Sequence, residues 1–323
     1  MGLRREQVRL RGLASHIGLV RLLHYDRKDL RGDLIAGITV TAYLIPQVMA
    51  YSTLAGLPPQ AGLWVVVITM LVYALIGSSR LLSVGPESTT ALMTAAVLAP
   101  LAAGDSLRYV SLAAMLAIIV GVLAVIAGLA RLGFLGELLS RPILVGYMAG
   151  VAVIMVTSQL GKVTGVDIAG DSFVEDIASF AGNARDTVSW ATVALGLVVT
   201  VLLLVFTPRF PRIPVPLIVM LGATLVVWAF DLQQYGIVTV SSFDSEGPHF
   251  GIPDVSSSDL VALLLPAVGI LMVGYTDNLL TARMFASGAG HRVHNNQEFL
   301  ALGAANMGAG LVSGFPVSSS ASR

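Results

Sequence analysis

The sequence predicts an all-α polytopic membrane protein in which two of the spans are interrupted. Its 323 residues are 55% hydrophobic and only 12% charged, a balance foreign to soluble domains. Apolar runs long enough to cross a bilayer core recur along the chain. A nine-residue pattern that breaks an apolar run, SVGPESTTA at Ser83–Ala91, returns as SGFPVSSSA at Ser313–Ala321, an offset of 230 residues. Two equivalent broken spans from two repeats are the signature of a site at the membrane midplane.

Taken in order, the first 33 residues are polar and hold eight Lys/Arg, with no compact apolar segment and cleavage site. They read as a basic cytoplasmic segment rather than a signal peptide, and residues 34–323 as the transmembrane domain. Spans are expected at Leu34–Gly56, Gly62–Ser78, Leu107–Ala130, Pro142–Gly161, Ser189–Thr207, Pro214–Leu232, Leu260 to about Ala286, and Phe299–Ser313. Between the second and third of these lies the first broken span, Ser79–Gly104. It begins as a short β-run, breaks at Gly85-Pro86, and continues as an apolar helix of about four turns, half a membrane span. Pro86 at the first helical position, with Glu87, Ser88 and Thr89 behind it, is a helix-start signal placed inside apolar sequence. Phe315–Arg323 opens a tenth span. The connection Thr207–Pro216 is too rich in proline for helix and reads as a stiff turn. The acidic loops Lys162–Val188 and Gln233–Asp259 are expected to hold short structure of their own. Gly146 with Gly150, and Gly310 with Gly314, have the spacing that lets helices pack closely.

Charge gives the orientation. With the N-terminus inside and the spans alternating, the inner segments hold fifteen Lys/Arg and the outer ones three, Arg108, Lys162 and Arg185. That asymmetry is the positive-inside pattern of a multi-pass inner-membrane protein. Zero cysteines exclude disulfides and thiol chemistry.

Only two acids lie within the expected spans, Glu87 and Asp277, and an intramembrane acid faces a wet cavity or a partner. For Glu87 a plain helix-start role competes with a cavity role. Asp277 has no capping duty, and Thr281 is one turn away on the same face. Carboxylate and hydroxyl together suit sodium, while the carboxylate alone suits a proton, and the sequence leaves both open. The repeat offset carries Asp277 onto Gln47, one turn from Tyr51 in a span that Pro46 is expected to disrupt. Packing would give that span the same polar face. Arg323 follows Ser318, Ser319, Ser320 and Ser322; a fixed cation beside hydroxyls and a helix N-terminus suits a compact anion. His291 and His294 read as a solvated loop pair rather than a metal site. No P-loop, zinc signature or nucleophile elbow occurs, so neither ATP-driven pumping nor enzyme chemistry is supported, and no cofactor or nucleic-acid partner is called for.

Four stretches carry a resemblance: LIPQVMAYSTLAGLPPQAGLW from Leu44, SVGPESTTALM from Ser83, RPILVGYMAG from Arg141 and GFPVSSSASR from Gly314. In that order they resemble the sulfate permease (SulP) family of anion transporters, from about Arg31 onward. The resemblance implies an inverted repeat of seven plus seven spans, with strand-plus-half-helix elements at spans 3 and 10. This chain would cover spans 1–9 and the opening of span 10. Four spans and a cytoplasmic STAS domain would then lie beyond it, so that it reads as a fragment or truncated product of a longer, homodimeric protein. It further implies a substrate neighbourhood of Gln47, Tyr51, Glu87, Ser88, Thr89, Ser320, Ala321, Ser322 and Arg323, with Asp277 and Thr281 as coupling-ion residues. The expected function is proton- or sodium-coupled transport of a small oxyanion, sulfate before bicarbonate, across the plasma membrane, one repeat moving against the other. The alternatives are a sodium/bicarbonate symporter, a nucleobase transporter of the same architecture and a non-transporting fragment.

Overall fold

The computed structural model describes residue 18, residues 25–79, 81–134, 173–210, 215–237, 250–289 and 293–319, scattered residues from 146 to 166, and residues 213, 239 and 247. Among the described residues, five helices are long and apolar enough to cross a membrane. In chain order the elements are α1 (Leu30–Leu54), α2 (Pro59–Ile76), β1 (Val84–Gly85), α3 (Ser88–Ala102) and α4 (Ser106–Leu129), then α5 (Phe173–Thr187), α6 (Trp190–Arg209), α7 (Val215–Ala229), α8 (Ser257–Ala289), α9 (Asn295–Leu311) and β2 (Ser318–Ser319).

Local chemistry sets most of these boundaries. Pro59 opens α2, where a missing N–H costs nothing. Asp105 caps α4 by accepting from the Leu107 and Arg108 amides, after a turn in which Ala103 and Gly104 take positive φ. Ser189 caps α6 through the Thr192 amide. Three expectations are corrected. α1 runs unbroken through Pro46, because a proline inside a long helix removes one backbone hydrogen bond and leaves the rest of the ladder to carry the segment. α6 continues to Arg209 with Pro208 inside it, so the stiff connection is shorter than Thr207–Pro216. Pro86 is not helical; Glu87 is the N-cap and α3 starts at Ser88. The loop expected after Lys162 holds α5, and a 3-10 turn at Leu232–Tyr235 lies in the next one.

The chain forms two compact units. The first takes residues 1–37, 44–140 and 246–323, and the second residues 38–43 and 141–245. In the first unit α4 and α9 cross almost backbone to backbone. A Cβ on Gly121 would stand 2.7 Å from the Gly303 carbonyl, and one on Gly310 would stand 2.5 Å from the Ala114 carbonyl. Around that crossing Leu112, Leu116, Val120, Phe299 and Leu302 are fully or almost fully buried. Gly310 therefore packs as its spacing predicted, whereas a Cβ placed on Gly146 or Gly150 would meet nothing described within 4 Å. In the second unit α6 and α7 enclose an apolar cavity of about 510 Å³ lined by Leu202, Phe206, Ile218 and their neighbours. None of α6's residues is buried, and its exposed faces are Leu, Val and Phe, a surface suited to hydrocarbon rather than water.

Candidate functional site

The site lies in the first unit, where the two copies of the repeated motif meet. β1 and β2 pair antiparallel, Val84 opposite Ser319 and Gly85 opposite Ser318. Each strand is held by one polar side chain from the span before it. Thr69 of α2 donates to the Val84 carbonyl at 3.1 Å. Asn306 of α9 grips Val317 from both sides, accepting from its amide at 2.9 Å and donating to its carbonyl at 3.1 Å. Both anchors are fully buried, so neither strand can leave without stranding polar groups.

Three residues past β1, α3 begins. Glu87 caps it, accepting from the Thr90 amide at 3.1 Å and from the Ser88 hydroxyl at 2.9 Å. Glu87 is thus a buried helix-start residue, with its carboxylate at the tip where the sequence alone expected substrate. The amides of Ser88 and Thr89 find no acceptor among the described residues, as the geometry of a first helical turn requires. α8 closes the third side. Ser318 donates to the Gly274 carbonyl at 2.7 Å, and Thr90 lies against the same glycine. Asp277 is three residues on and faces the same way. Its carboxylate and that of Glu87 interact electrostatically, like charge with like charge, and no described residue bonds to Asp277. Thr281, a turn further along, is buried.

Among the described residues, four buried side-chain oxygens of the first unit lack partners, those of Gln47, Ser83, Asn278 and Ser319. Gln47 donates to the Tyr51 hydroxyl at 3.0 Å, which makes the two residues one polar unit on α1. No hydrogen bond among the described residues ties that unit to α3, β2 or α8. Ser320, Ala321, Ser322, Arg323 and His291 lie outside the described residues.

The repeat needs one correction. The 230-residue offset maps β1 onto 314–315 and the start of α3, Ser88–Thr89, onto Ser318–Ser319, yet Ser318–Ser319 are a strand. The second copy reaches the pairing position four residues later than the first, so sequence equivalence and structural equivalence part by about one helical turn.

Sequence reasoning also missed a cluster at the opening of α9, Asn295-Asn296-Gln297-Glu298. Asn296 accepts from the Gly133 amide at 2.8 Å, and Gln297 donates to the Ile76 carbonyl at 2.7 Å. Glu298, fully buried, is a third acid inside the bundle where two were expected. His294, read as half of a solvated pair, is instead the N-cap of α9, its amide donating to the Ser78 hydroxyl at 3.2 Å. The signal in the sequence was four consecutive polar residues directly before an apolar run, with an acid in the first turn.

Broken spans joined strand to strand, with a half-helix start and intramembrane acids beside the join, are the fold of inverted-repeat transporter membrane domains. The murine solute carrier 26 member A9 anion transporter, in its inward-facing state, superposes with a TM-score of 0.87 at 23% identity, over 96% of this chain and 55% of that one. The transmembrane domain of a cyanobacterial bicarbonate transporter, BicA, gives 0.82 at 22%, over 92% and 76%. The particular family follows from sequence. A profile of the sulfate permease family matches residues 30–323, and this chain belongs to that family. A protein of Mycobacterium tuberculosis (strain CDC 1551 / Oshkosh) named as a probable sulfate transporter is 54% identical over 306 residues, which are 95% of this chain and 54% of the relative. The chain spans about half the length of the curated relatives it matches.

Proposed function

We propose that this chain supplies the anion- and cation-binding core of a secondary transporter for a small oxyanion, sulfate first, in the plasma membrane with the N-terminus cytoplasmic. The observation that carries the reading is the β1–β2 pairing, which joins the two copies of the motif: the Ser319 hydroxyl, unpartnered among the described residues, belongs to β2, and the unfilled amides of Ser88 and Thr89 open the helix that follows β1. N–H and O–H donors at a half-helix start replace the water shell of an anion. Ser320, Ser322 and Arg323, next in the chain, extend the donor set with a guanidinium that pairs with oxyanions bidentately. Glu87 moves in this reading from the anion side to the cation side. With Asp277 it presents two carboxylates that repel one another, and a proton or sodium ion held at Asp277 and Thr281 relieves that repulsion. Loading the cation thereby lowers the negative field that the anion meets.

Bicarbonate is the second reading, favoured by one atom. The unpartnered Gln47 oxygen is an acceptor, and bicarbonate carries an O–H to give it, whereas sulfate carries none. Turned over, the same amide accepts from Tyr51 and offers N–H groups, which suits sulfate. The test is uptake by the full-length protein in liposomes, with labelled sulfate competed by bicarbonate and by uracil. Sulfate uptake abolished by Arg323→Ala supports the first reading. Bicarbonate uptake that sulfate does not compete selects the second, and inhibition by uracil alone overturns both.

A further inference from the structure

A heavily bonded side chain of the first unit lies outside the candidate site. Glu298 accepts five hydrogen bonds: from the Tyr73 hydroxyl at 2.8 Å, the Ser78 amide at 3.1 Å and hydroxyl at 2.6 Å, the Ser79 amide at 3.3 Å, and the Asn278 side-chain amide at 2.9 Å. It is fully buried and forms no ion pair among the described residues. A carboxylate is accommodated in such a place because donors of the protein take the positions that water would fill. A glutamine could not accept all five, since one of its two positions is a donor.

Where those donors sit gives the cluster its meaning. Tyr73 belongs to α2, and Ser78 and Ser79 to the segment that leads from α2 into β1, with Ser79 five residues before Val84. Asn278 belongs to α8 and is the neighbour of Asp277. One carboxylate on α9 therefore ties down the approach to the anion side and the helix that carries the cation side. Among the described residues, the side-chain oxygen of Asn278 is buried and unpartnered, and its amide end is held by the bond to Glu298.

We infer that Glu298 is a positioning residue of the transport site, holding the lead-in to β1 and the Asp277 turn of α8 in fixed relation. The functional half of this inference rests on the oxyanion reading above, and its structural half does not. The experiment uses the full-length protein with Glu298→Gln, Asn278→Asp and the double variant. Hydrogen exchange is followed over residues 77–85 and 274–282, and uptake yields the sulfate KM and the half-activating concentration of the coupling cation.

Glu298→Gln is expected to speed exchange in both segments and to raise both constants by about fivefold or more, the size expected when a buried hydrogen bond is lost. Ser319→Ala, which removes the hydroxyl assigned to the anion, is expected to raise the sulfate constant alone, and Thr281→Ala the cation constant alone. Asn278→Asp sets two carboxylates against each other and is expected to be the worst of the set. The double variant exchanges the two roles, the introduced glutamine on α9 donating to the introduced aspartate on α8. It is expected to recover both constants, which general loss of packing would not allow. Should Glu298→Gln not fold, Asn278→Ala cuts only the α8 tie and is expected to loosen 274–282 while leaving 77–85 unchanged. Exchange altered in neither segment, or both constants unchanged in a folded Glu298→Gln protein, overturns the inference. A wild-type protein that takes up no oxyanion sinks the site reading instead, and the exchange data then decide the role of Glu298 alone.

Discussion

Asp277 stands on α8 with no hydrogen bond from a described residue and with Glu87 as its acidic neighbour. A residue in that position contributes little to the fold and much to whatever it binds. Asp277→Asn is therefore expected to leave the melting temperature unchanged or slightly raised, while uptake loses its dependence on the coupling cation; thermal unfolding in detergent and cation titration of uptake check the two halves. Glu87 is the reverse case, because it has a structural bond to lose. Glu87→Gln retains an acceptor for the Thr90 amide and should be stability-neutral, whereas Glu87→Leu should cost about 1 kcal/mol, as for other lost N-caps. Asp277 and Thr281 stand out in the sequence because an acid in a long apolar run is costly and four-residue spacing gives them a common face, and both lie on α8. Glu298 does not. An acid in a first helical turn usually serves the helix dipole at the surface, and nothing in Asn-Asn-Gln-Glu announces that this turn is covered by α2 and α8.

At the scale of elements, the α4–α9 crossing holds the first unit together through the absence of side chains. Gly121→Leu or Gly303→Leu is expected to cost about 1–3 kcal/mol or to prevent folding, since even a methyl group would meet backbone on the opposite helix. Gly146→Ala, where an added Cβ would meet no described atom within 4 Å, is expected to be neutral or mildly stabilising. Size-exclusion profiles and melting temperatures of the three variants separate these outcomes. Glycine spacing alone did not distinguish the pairs, because it reports that an approach is permitted and not that a partner helix arrives. The strand anchors carry the same lesson. Asn306→Leu removes both ends of a buried two-bond grip on Val317 and is expected to destabilise by about 1–3 kcal/mol, more than Thr69→Val, which removes one bond. In the sequence Asn306 is one polar residue in an apolar run, and the backbone it holds lies 11 residues away, past a turn.

For the whole molecule, the succession of apolar spans and the broken third span stand out from hydrophobic periodicity and one duplicated motif, while the inverted repeat entered through the family resemblance. The sequence suggested that one repeat moves against the other. The structure interlocks them: α2, β1, α3 and α4 from the first half and α8, α9 and β2 from the second form a single unit, closed by the glycine crossing and the strand pair. Motion between the repeats would have to break both. A cross-link tests this directly, because the chain has no cysteine of its own. Directly opposed residues of an antiparallel pair have Cα atoms about 4.5–5.5 Å apart, within reach of a disulfide. Val84→Cys with Ser319→Cys is thus expected to oxidise within one chain, as peptide mass mapping would detect. Comparing the oxidised and reduced forms of that same double variant cancels any effect of the substitutions on binding. If the two strands travel together, the oxidised form transports at the rate of the reduced one. Transport that stops on oxidation and returns on reduction would mean that β1 and β2 separate during the cycle, and that the repeats, despite their shared core, are the moving parts.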